Sequence, residues 1–303
     1  MTAPNISNPT YFAAASPVRL PRAAALGPGL GGQPRLLVDA PAGAAEIYLH
    51  GATVTSWTPS GGSEGIFTSR QAVFNGSTAI RGGIPLCLPE FGVGINGDAV
   101  PKHGWARIAP WQLRTVTGTD DGGVRALLSV SRDHLTALYE VEVGQTLRLG
   151  LSLRNDGAEP RTVEAAAHTY LSVHDVTASI ISGLAGSSYN DNLARSSQEA
   201  RRIQEGDVKI SGPVDRIYDS SEPVAVTDPG HRRTIRIDKR NAPSTIVWNP
   251  WSTYSAPLPD MADDEFPTMV CVESGAVREN APTIDPGTSW AMQVTLSVEN
   301  HRM

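Results

Sequence analysis

The chain has 303 residues, 40% hydrophobic and 18% charged, with 29 glycines and 23 prolines; this suits one large all-β domain or two ordinary ones, rich in turns and poor in long helices. A formal charge of −6 argues against a nucleic-acid footprint, and no apolar run reaches the roughly 18 residues of a membrane span. Cys87 and Cys271 both lie in apolar runs, which reads as buried small hydrophobes rather than a disulfide.

Residues 1–33 are rich in Ala, Pro and Gly and lack periodicity, and Gly27-Pro28-Gly29-Leu30-Gly31-Gly32 reads as a flexible linker. The alanine runs at 13–15 and 23–25 are separated by Pro17, Arg19, Pro21 and Arg22, a poor signal-peptide core, so the expected location is the cytoplasm. One folded domain is expected over 34–303. Gly61-Gly62-Ser63-Glu64-Gly65 matches G-x-S-x-G but sits in a polar run, not at a strand-to-helix corner, and reads as a surface turn. Gly92-Val93-Gly94-Ile95-Asn96-Gly97 matches the dinucleotide pattern, yet Pro85, Pro89 and Pro101 flank it and a glycine-rich loop is expected.

Asp120-Asp121-Gly122-Gly123 separates two strand-like runs, and Asn155-Asp156-Gly157 follows a strand in which Leu147, Leu149, Leu151 and Leu153 alternate with polar residues. The stretch 191–206 is the best of several weak helical candidates. Ile235 and Ile237 alternate again, as do Trp290, Met292, Val294, Leu296 and Val298. Neither H-E-x-x-H nor C-x-x-C occurs, so a zinc site is unsupported. Many short alternating strands with frequent turns imply an all-β protein, a large antiparallel β-sandwich.

Three segments set ionisable residues among glycines, prolines and tryptophans: 79–107, 165–171 and 247–275. Singly, His168 after three alanines could be a core histidine satisfied by backbone. Glu273 could point to solvent, and Arg81 and Arg107 could form surface ion pairs worth little. Trp57, Trp105, Trp248 and Trp251 could stack on a bound ligand or simply pack the core.

Taken together, His50-Gly51-Ala52-Thr53-Val54-Thr55-Ser56-Trp57, Ile80-Arg81-Gly82-Gly83-Ile84-Pro85, His103-Gly104-Trp105-Ala106-Arg107, His168-Thr169-Tyr170, Gly183-Leu184-Ala185-Gly186, Asp215-Arg216-Ile217-Tyr218, Val247-Trp248-Asn249-Pro250-Trp251 and Cys271-Val272-Glu273 form a pattern. In these stretches, in order over about residues 48–290, the sequence resembles the hexose-6-phosphate 1-epimerases, a branch of the aldose 1-epimerase (galactose mutarotase-like) superfamily. The resemblance implies a galactose mutarotase-like antiparallel supersandwich, with His168 as general acid and Glu273 as general base. It implies substrate binding by Arg81, Arg107 and Asp215, and a contact from His103 near the reacting oxygens of the sugar. Lys102 stands where family members often carry Gln and is expected to add a phosphate contact; Leu171 replaces an aromatic. The implied partner is a small-molecule sugar phosphate and the implied state a monomer; no nucleic-acid or membrane partner is expected from charge and hydropathy, and no metal or organic cofactor, since the chemistry is proton transfer alone. Epimerisation of free aldoses, and non-catalytic carbohydrate binding, are the competing readings.

Exchanging α and β anomers requires a base to take the O1 proton while an acid protonates the ring oxygen. A free Glu, pKa about 4.3, is already ionised at neutral pH, whereas a free His, about 6.5, is mostly neutral. The site is therefore expected to raise the pKa of His168, through a bound phosphate or a nearby carboxylate.

Overall fold

The alternating runs of the sequence turn out to be one another's neighbours. In the computed structural model, which describes residues 18–301, Leu147, Leu149, Leu151 and Leu153 of strand Thr146–Asn155 lie opposite Leu296, Val294, Met292 and Trp290 of strand Ser289–Asn300. On the other side they meet Val143, Val141, Tyr139 and Ala137 of strand Leu135–Val143. Leu296 and Val298 in turn face Ile237 and Ile235 of strand Arg233–Arg240. Because side chains alternate with period two, matching registers line these residues up in apolar rows across the strands.

These strands form the centre of a nine-stranded antiparallel sheet that runs from Val208–Lys209 at one edge to Gln112–Gly118 at the other. An eight-stranded sheet carries, in order, Arg201–Ile203, Ser188–Asp191, Val214–Asp219, Ser244–Asn249, Met269–Ala276, Ala165–Ala167 and Leu86–Cys87, with Tyr170–Ser172 also paired to Met269–Ala276. A four-stranded meander, Ala24–Pro28, Pro34–Ala40, Gly43–Tyr48 and Thr53–Pro59, completes the main layers. Leu149 and Val294 from the first sheet, Val247 and Val272 from the second, and Ile47, Val54 and Trp57 from the meander belong to one contiguous buried cluster. The architecture is the expected antiparallel β-sandwich.

The turns at 120–123 and 155–157 fall between or after strands as the sequence suggests. Cys87 and Cys271 are free, buried thiols. Two expectations are corrected. The boundary at residue 33 cuts through a sheet, since Ala24–Pro28 pairs along its whole length with residues of Pro34–Ala40; the glycines around 29–32 make the connection between paired strands. The rest of the expected extension, residues 1–17, lies outside the described residues. The helical candidate at 191–206 contains only the short helix Ser197–Ala200, because Arg201–Ile203 pairs with Ser188–Asp191 at the sheet edge. Long-range pairing there overrides weak helical propensity. Among the described residues no helix is long and apolar enough to cross a membrane.

Leu149 is 2% exposed at the middle of these rows. Leu149→Ala is expected to lower the unfolding free energy by about 2–5 kcal/mol, as core cavities do. Urea melts should show a lower midpoint at an unchanged slope; a loss well under 1 kcal/mol would contradict the packing described.

Candidate active site

Strand Met269–Ala276 is buried at every residue. Its alternation sends Val270 and Val272 into the sandwich core, while Cys271 and Glu273 point to the opposite face of the sheet. On one flank Trp248 pairs with Cys271 and Ile246 with Glu273, and Asp215 follows beside Trp248. On the other flank Ala167 pairs with Ser274 and Tyr170 with Cys271. That constant register brings His168 opposite Glu273. Gly275 has a steric reason: a Cβ there would lie 2.4 Å from the Ala165 carbonyl oxygen and 2.7 Å from the Ala166 Cβ. Small residues let the two strands meet this closely.

His168 Nε2 lies 3.5 Å from Glu273 Oε1. The imidazole is 7% exposed and Glu273 1%. His168 stacks on the Tyr170 ring at 4.7 Å and 10°, with Trp248 edge-on at 6.2 Å. Arg81 Nη1 donates to the Tyr170 hydroxyl (3.1 Å) and Arg81 Nε to Asp260 Oδ1 (3.1 Å). A packed ring, with a guanidinium bonded to its hydroxyl, thus holds His168 against Glu273. His168 Nδ1 and Glu273 Oε2 are buried without a hydrogen-bond partner among the described residues, an expensive state for polar atoms unless they serve an incoming group.

The pair opens into a cavity of about 610 Å³, within the usual range for small-molecule sites. All seven residues singled out in the sequence line it: Arg81, Lys102, His103, Arg107, His168, Asp215 and Glu273. The sequence reading missed Phe91, Asn192 and Arg278, which also line it. The loop beginning at Gly92, set aside as a glycine-rich turn, is indeed a loop and forms a wall. Of the four candidate tryptophans, Trp248 lines the cavity, Trp57 and Trp105 are buried in the core, and Trp251 packs on Phe266. A separate groove of about 510 Å³ runs over the nine-stranded sheet beside Lys239 and Asp238. The Lys239 ammonium is already engaged by Ser220 O and Thr245 Oγ1, and none of the groove's lining residues holds an orphaned buried polar atom.

His103 adopts φ +64°, a conformation that costs a non-glycine residue about 1–3 kcal/mol. Its Nδ1 accepts from the Gly92 N–H (3.2 Å) and lies 3.2 Å from Cys87 Sγ. With Nδ1 accepting, the proton of the neutral ring sits on Nε2. Burial, then Arg107, Arg81, Lys102 and Arg278, push the His103 pKa down to about 3. His103 is therefore a neutral hydrogen-bond donor at physiological pH.

The expectation of a raised His168 pKa is corrected. Burial lowers it well below the ordinary value, aided by His103, Arg107 and Arg81, against a backbone hydrogen bond that raises it. Burial, then Asp215, raises Glu273 well above the carboxylate range. Burial thus favours the neutral form of each group, with the one proton of the pair on Glu273. Burial also raises Asp215, against a hydrogen bond from Asn192. Among the described residues no carboxylate pairs with Lys102, Arg107 or Arg278, although Arg107 Nη2 donates to Lys102 O (2.9 Å).

A raised folded-state pKa for Glu273 means that the native chain binds a proton that the unfolded chain has released. Stability is thus lost as pH rises above the unfolded value of about 4.3. Glu273→Gln removes that loss. The variant is expected to melt at or above the wild-type temperature at pH 7, with the advantage vanishing near pH 4. A lower melting temperature at pH 7 would contradict the desolvation described.

Residues 34–297 match the aldose 1-epimerase family. A Cenchrus ciliaris protein provisionally named glucose-6-phosphate 1-epimerase is 33% identical over 272 residues, 84% of this chain and 80% of its own. An Escherichia coli (strain K12) protein of the same provisional name is 30% identical over 254 residues, 80% of this chain and 83% of its own. The crystal structure of a provisionally named mutarotase of Salmonella typhimurium superposes with a TM-score of 0.84 at 26% identity, over 96% of this chain and 99% of that one. The chain belongs to the aldose 1-epimerase family and is an epimerase of the isomerase class.

Proposed function

We propose that this epimerase acts on a hexose 6-phosphate, glucose 6-phosphate foremost, with His168 as general acid and Glu273 as general base. The observation that carries the substrate reading is the pair of cations, Lys102 and Arg107, that line the cavity of a chain of net charge −6 without a carboxylate partner among the described residues. A neutral sugar would leave both charges unanswered. A phosphate dianion answers them, and the planar guanidinium can donate to it in pairs. The provisional names of the Cenchrus ciliaris and Escherichia coli relatives point the same way.

The chemistry follows from the single shared proton. With that proton on His168 and Glu273 ionised, Glu273 takes the O1 proton while His168 protonates the ring oxygen, and the ring opens to the aldehyde. This leaves Glu273 protonated and His168 neutral, the arrangement that burial favours at each group. The open chain rotates about C1–C2 and recloses with the two roles reversed. His103, a neutral Nε2–H donor on the cavity wall, is suited to hold a sugar oxygen without competing for the proton.

Two-dimensional NMR exchange on glucose 6-phosphate and glucose tests this reading. Wild type is expected to accelerate anomer exchange of the phosphate more than that of the free sugar. His168→Ala and Glu273→Ala should each lose at least about 10²-fold. Arg107→Ala should raise KM for the phosphate and leave glucose turnover little changed. Equal acceleration of both sugars would instead favour a free-aldose epimerase.

A further inference from the structure

Building on the hexose-phosphate reading, we propose that Arg278 is a further phosphate-binding residue and that the buried Glu164 is the positioning residue that aims it. Arg278 lies on the turn just beyond the Glu273 strand, lines the cavity and has no carboxylate partner among the described residues. Its backbone is held at φ +55°, a left-handed conformation that a side chain such as arginine adopts only when its surroundings impose it.

Glu164 imposes it. The carboxylate is 2% exposed and accepts two backbone bonds, from the Arg278 N–H at Oε1 (2.9 Å) and from the Phe91 N–H at Oε2 (3.0 Å). The Glu164 N–H donates to Pro89 O (2.8 Å). One buried side chain thus buckles together two wall segments from distant parts of the chain, the 89–94 loop and the 278 turn. Arg278 reinforces the join, since its Nη1 donates to Gly94 O (2.9 Å). A Cβ at Gly92 would stand 3.3 Å from Arg278 Nη2, so glycine there gives the guanidinium room to lie over the loop.

The electrostatics agree. Arg278 acts on His103 together with Arg107, Arg81 and Lys102, and it also acts on Asp215. It therefore belongs to the same cationic wall as the two residues already assigned to phosphate. Had its role been only to brace the loop, the bond to Gly94 could have formed from a position outside the cavity.

The test compares KM and kcat for glucose 6-phosphate and for glucose, with the inhibition constant of inorganic phosphate, in wild type, Arg278→Met, Arg278→Lys and Glu164→Gln. Arg278→Met is expected to raise KM for the phosphate and the phosphate inhibition constant about tenfold or more, with kcat within a few-fold and a clearly smaller loss of kcat/KM for glucose than for the phosphate. Arg278→Lys should recover part of the loss. Glu164→Gln, which keeps the shape but replaces one accepting oxygen with an amide NH2 that cannot accept a backbone N–H, should shift the same two constants in the same direction by less. If wild type shows no preference for the phosphate, the substrate reading falls and this inference with it. If wild type prefers the phosphate and Arg278→Met keeps that preference, or loses both substrates equally, Arg278 is a structural brace and the inference alone is overturned. An unchanged Glu164→Gln would remove Glu164 from the positioning role.

Discussion

Everything at the site depends on one strand being buried on both faces. Met269–Ala276 has the sandwich core under Val270 and Val272, and on its other face a small apolar cluster over Cys271 and the cavity over Glu273. Register is accordingly strict, since a slip by one residue would drive the Glu273 carboxylate into the hydrophobic core and a valine into the cavity. The two strands on either side inherit the same parity. They deliver Trp248 and Asp215 from one flank and His168 and Tyr170 from the other to a common face. Glu273 is thereby mounted within a strand, and His168 is held opposite it between two short strands, Ala165–Ala167 and Tyr170–Ser172, that both pair with the Glu273 strand.

The cost of that placement is desolvation, and the cost is also what suits the pair to its chemistry. A carboxylate and an imidazolium in water would each hold the charge dictated by its own pKa. Here burial pushes Glu273 up and His168 down, so it favours the neutral arrangement of the pair over the charged one. On the proposed acid–base reading, ring opening converts the charged arrangement into that neutral one. Desolvation of Glu273 costs stability above the unfolded carboxyl pKa.

The cations are distributed on different principles. Lys102 and Arg107, with the neutral His103 beside them, follow the glycine- and proline-rich stretch after Leu86–Cys87, and Arg278 stands on the turn after the Glu273 strand. Loops of this kind vary in conformation unless tied down, and here buried polar groups tie them. Glu164 joins two of them, and the His103 ring is fixed through its Nδ1 to the Gly92 N–H. Two of the residues so held, His103 and Arg278, carry positive φ, and such strain is retained where the surrounding structure over-determines the conformation.

The apolar alternation at 147–153, 235–237 and 290–298 determined the sandwich by itself, because a period of two permits little besides half-buried strands. The motif residues likewise marked His168, Glu273, Arg81, Lys102 and Arg107 as candidates from the sequence alone. Other features were decided only by tertiary structure. Ala24–Pro28 is a paired strand despite its linker-like composition, because its partner Pro34–Ala40 supplies the hydrogen bonds that composition cannot reveal. Arg278 and Glu164 carry no local signature: one is an arginine after a strand and the other a glutamate before three alanines. Their meaning arises when the fold brings residues 91, 164 and 278 within hydrogen-bond reach. The direction of the His168 pKa also lay beyond the sequence. Residue type supplies a reference value, but burial and the neighbouring charges that set the shift exist only in the folded chain.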